Sequence, residues 1–475
     1  MNHDILFRDL AGKRFRVGVT GAKGSFSRTL LAQLHAIPML EVAALCDLDP
    51  AGVVTLLGAL GYPPDAGMLC ETAADAEKAM ESGRIAVLRD SALLANIPLD
   101  IVVEATGQPE AGARIAVEAI RRGVHVAMVT KETDSVVGPH LNQLALQHGV
   151  VYTTADGDQP ANLIGLVTWA RLLGFEIIAA GKSSEYDFVF DHATGIVTCE
   201  SRQCEAAGLA DLWMLGEDVP AQLARRSAVL AALPQRTTPD YCEMNVVANS
   251  TGLVPSRDDF HYPVCRITEL ADIFIPREDG GVLERTGVVD VFNCLRRTEE
   301  VSFGGGVFVI VRCGDNVVWE LLRGKGHVVS RNGRYAAIFL PYHLMGLETP
   351  VSLLSAAGHG RASGSDTQRV HAVMVARTDR DFRAGERLEM GGHHHVMTDC
   401  TALLLPAAEA KGLAPFYLAA HKTLLRDVPK GTLLREDMVD LNGSLLQQLR
   451  REIQFPAAGA PATAQAASSL SPAMD

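Results

Sequence analysis

Two lysines stand at the ends of apolar, strand-like runs. An ammonium partly shielded from water can polarise a carbonyl or exchange a proton with its oxygen. Lys131 follows the run 124–129, and Lys182 closes the stretch GFEIIAAGK. Lys182 suits acid–base work and Lys131 suits orienting a substrate, although each also reads as a plain surface cation. Asp158, in DGDQP, is placed to orient a lysine or meet substrate hydroxyls, and equally to form the turn it sits in. Glu132, Glu185, Asp187 and His343 are the further candidates for substrate contact, with Tyr342 and Glu348 beside the last.

A second constellation lies near the amino terminus, in RFRVGVTGAKGSFSRTLLAQL (residues 14–34). Residues 15–19 read as a buried parallel strand, Thr20-Gly21 as a tight turn, and residues 27–34 as a helix. Strand, glycine turn and helix start make an anion site, because the helix's first amides lack internal partners and its dipole favours negative charge. The spacing is G-x-x-G-x-x-S, on Gly21, Gly24 and Ser27, with Lys23 and Phe26 where the G-x-G-x-x-G fingerprint has glycines. Glycine turns are routine, so a structural turn is the alternative. Asp47, closing the run 41–46, favours a dinucleotide, since a carboxylate there binds the adenosine ribose. The cradle is therefore assigned to Gly21, Lys23, Gly24, Ser25, Phe26 and Asp47, completed by Ala105, Thr106 and Gly107. Asp47 leans towards NAD, while Lys23 and Arg28 leave NADP open.

A divalent metal (Mg or Mn) is a weaker expectation. Asp187 and Asp191 offer carboxylates, and His393 and His395 would share one face of a strand. The alternative for the histidines is an exposed turn after Gly391-Gly392.

These side chains need elements to position them. Alternating strands and helices through residue 154, including helices at 50–60, 73–82, 109–122 and 139–148, predict a Rossmann-type doubly wound parallel sheet over residues 1–155. Ligands of such sheets bind beyond the carboxyl ends of the strands, where Gly21, Asp47, residues 104–107, 130–132 and 156–159 converge. Residues 156–365 read as an α+β substrate and oligomerisation domain, with strands at 176–180, 307–312 and 335–340. GHGRASGS (358–365) reads as a hinge, residues 366–452 as a small β-rich module, and the low-complexity end 453–475 as disordered.

At 475 residues the chain can bury ample core, and a net charge of −13 argues against nucleic acid or an anionic membrane as its partner. Nine cysteines, scattered singly, fit a reducing compartment. With no signal-like or membrane-spanning apolar run, the expected setting is the cytoplasm and the expected partner a small molecule.

The stretches VEATGQPEAGARIAVEAI, DGDQPANLIGL, GFEIIAAGK and LPYHLMGLETP resemble oxidoreductases with a homoserine-dehydrogenase-like nucleotide domain, among them the DXR-like (DRL) reductoisomerases. HKTLLRDVPKGTLLREDMVDL is similar to the SAF module that ends such chains. The resemblance implies an NAD(P)-dependent oxidoreductase, homo-oligomeric, with reductoisomerase activity as one variant. Two departures stand out. Lys23 replaces a glycine, and GKSSEYDFVFD carries Glu185, Asp187 and Asp191 where those proteins have a second lysine. A sugar acid therefore fits as well as a sugar phosphate. A simple dehydrogenase of a hydroxy acid or semialdehyde, and a non-catalytic nucleotide sensor, are the rival readings. If Asp47 holds the ribose, Asp47→Ala weakens NAD binding more than NADP binding in a fluorescence titration; equal weakening removes that role.

Overall fold

The computed structural model describes residues 2–392 and 395–452. The stretch 453–475, expected to be disordered, lies outside them. After a short amino-terminal turn of helix, α1 (His3–Leu6), seven strands form one parallel sheet: β1 (Phe15–Thr20), β2 (Leu40–Cys46), β3 (Gly67–Cys70), β4 (Ile85–Leu88), β5 (Ile101–Glu104), β6 (His125–Met128) and β7 (Tyr152–Thr154). Their order is β3-β4-β2-β1-β5-β6-β7. The strands are nearly continuous apolar runs because helices cover both faces. The helices are α2 (Ser25–Leu34), α3 (Pro50–Ala59), α4 (Ala73–Glu81), α5 (Pro109–Arg121) and α6 (Lys131–Gln147). The chain leaves β1 towards β2 and later returns on its other side at β5, so the switch point lies between β1 and β5. Ligands bind at such a point. This is the doubly wound sheet the sequence predicts.

α6 differs from its expected bounds. Proline in a first turn is a standard start signal, so the sequence predicts a helix from Pro139. The helix instead begins at Lys131, with Pro139 inside it. Proline sacrifices only its own bond to the carbonyl four residues back, and acidic Glu132 and Asp134 suit the first turn. Lys131 is thereby the first residue of a helix and not the last of a loop.

From β7 the chain passes through α7 (Gln159–Leu172) into a mixed sheet. At its centre β8 (Glu176–Ser183) pairs parallel with β14 (Val288–Arg297) and antiparallel with β15 (Val307–Arg312). Outward from β14 lie β9 (Phe188–Asp191), β10 (Ile196–Cys199) and β11 (Arg202–Glu205), with β12 (Val254–Pro255) and β13 (Val264–Cys265) also on β14. Outward from β15 lies β16 (Tyr335–Leu340). After α8 (Val219–Val229), helix α9 (Thr238–Thr251) packs against both α6 and α7. It thus touches the first sheet's last long helix and the helix that feeds the second sheet.

The remaining residues fold back. Helix Pro350–His359 contacts β1, β5, β6 and β7. The stretch 358–365, expected as a hinge, is tied down: Gly364 N donates to Thr153 Oγ1 at 2.9 Å, and Asn142 Nδ2 donates to the carbonyl of Ser365 at 3.1 Å. Small residues there permit close approach, which composition alone reads as looseness. Residues from 366 form two short antiparallel pairs, β17 (Ala372–Thr378) with β20 (Cys400–Pro406) and β18 (Met390–Gly391) with β19 (Val396–Met397), and end in helix Leu445–Arg451. Glu110 of α5 clamps this region, accepting from Lys422 Nζ at 3.3 Å, from Leu445 N at 3.1 Å and from Ser444 Oγ. Among the described residues no helix is long and apolar enough to cross a membrane.

Asp134 staples α6 to β7 by accepting from the Tyr152 hydroxyl at 2.9 Å. Burial, against that hydrogen bond, pushes its carboxyl up to about 7. The folded state then keeps a proton that the unfolded chain loses near pH 4, so this stability is full in acid and is lost as pH rises through about 7. Asp134→Asn is expected to gain on the wild type between pH 4 and pH 7, by at most roughly 4 kcal/mol in urea unfolding. A pH-independent difference would sink the assignment.

Candidate active site

At the end of β1 the chain turns through Gly21, whose φ is +62°. A Cβ there would run into the Ala105 backbone after β5, so only glycine lets the two loops pass. The first bond of α2 runs from Arg28 N to the Gly24 carbonyl at 2.9 Å. The amides of Ser25, Phe26 and Ser27 precede it and face out of the helix start. α2 begins at Ser25, two residues before the predicted start. Lys23 donates its amide to Asp47 Oδ2 at 2.9 Å and its ammonium to Asp49 Oδ2 at 2.5 Å. Phe26 packs, half-buried, on the core beneath the sheet. The side chains in place of the fingerprint glycines thus have positions of their own.

Buried Glu104 fixes the opposite wall. It accepts from Thr106 N at 3.0 Å and Thr106 Oγ1 at 2.6 Å, while Gly107 N donates to Thr130 Oγ1 at 3.0 Å. Burial raises the Glu104 carboxyl, with the Thr106 and Thr130 hydrogen bonds opposing the rise.

Behind this wall lies an array of alternating charge. Glu243 of α9 sits between the two predicted lysines, bonded through one oxygen to Lys131 and through the other to Lys182. Lys182 also donates to Asp240 Oδ1 at 2.7 Å, and Asp240 accepts through its second oxygen from Ser184 Oγ at 2.8 Å and Tyr262 OH at 3.0 Å. Burial alone would drive both lysines towards neutrality. For Lys131 the charges of Asp158, Glu243 and Glu132 outweigh it, and for Lys182 those of Asp240 and Glu243, so both ammonium groups are held above their ordinary range. Glu243 is held well below the ordinary carboxylate range by the two lysines, against burial. The lysines differ in access: the Lys182 side chain is 1% exposed and that of Lys131 is 23%. Lys131 is the more accessible of the two.

Asp158 caps α7, accepting from Gln159 N at 2.9 Å, and its charge acts on Lys131. His343 meets the Gly157 carbonyl at 3.3 Å and packs on Gly305. Glu348 accepts from Asn162 Nδ2 at 3.2 Å and Leu344 N at 3.0 Å, which folds the PYHLMGLE segment over the DGDQP turn. Gly346 of the same segment donates to Thr29 of α2 at 3.2 Å. His343 and Glu348 therefore hold loops together around the site, and Tyr342 is half exposed.

The carboxylate metal site does not assemble. Asp187 accepts from Arg296 Nε at 2.6 Å, and Asp191 binds Ala193 N and Thr194 Oγ1 of its own turn, both at 2.9 Å. An arginine neutralises the first, and the second faces solvent four residues farther along the chain. Among the described residues no three His, Cys, Asp or Glu side chains gather as a metal site would need. His393 lies outside the described residues. His395 is paired with Glu132, at 2.7 Å between Nδ1 and Oε1, which also takes Glu132 up as its partner. Glu185 flanks the end of β8, half-buried.

Asp240, Glu243 and Tyr262 were not singled out from the sequence. For the two carboxylates a signal was present: they stand three apart in TPDYCEMNVV and share one face of a helix.

Residues 157–349 match the family model described as "Oxidoreductase DRL, catalytic domain". The chain carries an oxidoreductase catalytic domain. The match covers α7, α9 and all of the mixed sheet, and ends before the stretch read as SAF-like. No curated protein matches the sequence. Similar solved structures include a DOX-P reductoisomerase in complex with magnesium (17% identity, 36% of this chain and 46% of that one, TM-score 0.28), so the domain spans less than half of that protein. Others are dipicolinate-bound dihydrodipicolinate reductase from Paenisporosarcina sp. TG-14 (12%, 73% and 94%, 0.35) and scyllo-inositol dehydrogenase from Lactobacillus casei with NAD(H) and scyllo-inositol (12%, 63% and 74%, 0.33). Nothing about this chain's substrate rests on these distant likenesses.

Removing one member of a buried charged array strands the others. Lys182→Met is expected to cost about 3–5 kcal/mol of stability in urea unfolding. Adding Asp240→Asn should recover much of that loss, and a double variant no more stable than the single one would contradict the pairing.

Proposed function

We propose that this chain is an NAD(P)-dependent oxidoreductase acting on a small polyhydroxylated substrate, a sugar acid or sugar phosphate. The observation that carries the reading is the joining of two features at one sheet edge: an anion cradle of free helix amides, and a charged lysine with an exposed edge. Gly21, Gly24, the amides of Ser25 to Ser27 and the Asp47 carboxylate would hold the dinucleotide, with Ala105, Thr106 and Gly107 along its nicotinamide half. When bound, that group supplies the hydride chemistry.

The chain's own part is to orient the substrate and manage one proton. Lys131, held as an ammonium and partly open to the cleft, polarises the substrate oxygen. Lys182 is enclosed by two carboxylates, so we assign it to holding Glu243, and through it Lys131, in place. This reverses the emphasis suggested by the sequence, where Lys182 was the acid–base candidate. Asp158 sets the charge at Lys131 from the other side.

The Asp187–Arg296 pair bears on substrate class. It neutralises one of the three carboxylates that counted against a phosphorylated substrate, so a sugar phosphate remains compatible beside a sugar acid. NADP is compatible as well, because a solvent-exposed pair such as Lys23–Asp49 is screened by water and yields readily to a 2′-phosphate. In this reading the SAF-like module packs on α5 and α6, and the active assembly is a homo-oligomer.

Quenching of protein fluorescence by NADH and NADPH is expected. Absorbance at the nicotinamide band should then respond to at least one member of a panel of sugar acids and sugar phosphates. Lys131→Met should lower kcat by about 100-fold while dinucleotide affinity stays close to that of the wild type. Binding of neither nucleotide would defeat the proposal.

A further inference from the structure

His395 is the one group near the site that the reading above leaves without a task. It belongs to the carboxy-terminal residues but leans on the nucleotide-binding sheet. Nδ1 pairs with Glu132 of α6 across 263 positions of sequence, at 2.7 Å. On its other side the ring lies against Gly107, after β5, where an added Cβ would stand 2.8 Å from Cε1 and 3.4 Å from Nε2. Gly107 has φ +66°, so glycine is required there twice over. His395 itself is held at φ +47°, a left-handed conformation that is unfavourable for a non-glycine residue and persists where the surroundings enforce it. Its side chain is 26% exposed, and among the described residues Nε2 has no partner.

A carboxylate on one imidazole nitrogen and a free second nitrogen at a cleft form an arrangement suited to proton transfer. We propose that His395 is the proton-transferring residue of this active site, oriented by Glu132 and contributed by the carboxy-terminal module. The inference rests on the oxidoreductase reading above and completes it. In the oxidation direction the carbinol carbon gives up a hydride to the oxidised nicotinamide ring. Its hydroxyl proton passes to Nε2, the O–H and C–H bonds break, and the C=O bond forms. In reduction the imidazolium returns that proton to the developing alkoxide while Lys131 stabilises the negative oxygen.

The lysines are poorer carriers. Lys182 is bonded to two carboxylates and closed to solvent, and Lys131 is bound to Glu243 among three acidic neighbours. The hydrogen bond to Glu132 raises the His395 imidazole above its ordinary value, while burial and the Lys131 charge oppose this. The charged groups facing it from α6 are Glu132 and Lys131.

The test uses the full-length protein, with NAD(P)H and the panel substrate that turns over. His395→Gly should lower kcat by about 100-fold or more with dinucleotide affinity nearly unchanged, and added imidazole should restore part of the turnover. Glu132→Gln should keep binding and, in the reduction direction, move the alkaline limb of the kcat/KM profile to lower pH. Near-wild-type turnover by His395→Gly, or loss without imidazole rescue, overturns the role and leaves the oxidoreductase reading standing. A wild type that quenches with neither nucleotide overturns that reading, and this inference with it.

Discussion

A single buried carboxylate, Glu243, joins the two halves of this molecule. One of its oxygens faces a lysine from the first turn of the helix between β6 and β7, and the other a lysine from the central strand of the mixed sheet. Buried charges are costly unless each has a partner. Here two ammonium groups and two carboxylates close on one another, so α6, α8's successor α9 and β8 can adopt only one relative arrangement without stranding a charge. The exposed edge of Lys131 is where this array meets the cleft.

The cleft depends on closeness of backbone. The loops after β1 and β5 pass within reach only because residue 21 is glycine, and the loop after β5 accepts an imidazole from far along the chain only because residue 107 is glycine. Glu104 pins the same loop through Thr106. A dinucleotide cradle without the usual second and third fingerprint glycines is therefore consistent with the local geometry. Lys23 turns to Asp49 and Phe26 to the core.

The carboxy-terminal residues are part of the site's architecture. Glu110 receives the start of the last helix and the Lys422 ammonium, and Glu132 receives His395. Both acceptors lie on the helices that follow β5 and β6. Contacts of this kind seat the module against the carboxyl edge of the sheet, the edge where ligands of such folds bind.

By itself the sequence determined the periodic parts of this protein. Alternating apolar runs and helical spacing specify six of the seven strands of the parallel sheet, the glycine turn and Asp47, because those signals act between neighbours a few residues apart; the short edge strand Gly67–Cys70 was not among them. The two lysines were legible too, as cations at strand ends. It misplaced the start of α6, since Pro139 mimics a helix's first residue, and it read small residues at 358–365 as a hinge. Only the tertiary structure decided which charges meet. Glu243 and Asp240 are distant in sequence from both lysines, Arg296 is more than a hundred residues from the aspartate it neutralises, and His395 reaches Glu132 across most of the chain. Electrostatic partnership depends on distance in space and on exclusion of water, and neither leaves a periodic trace in the order of residues.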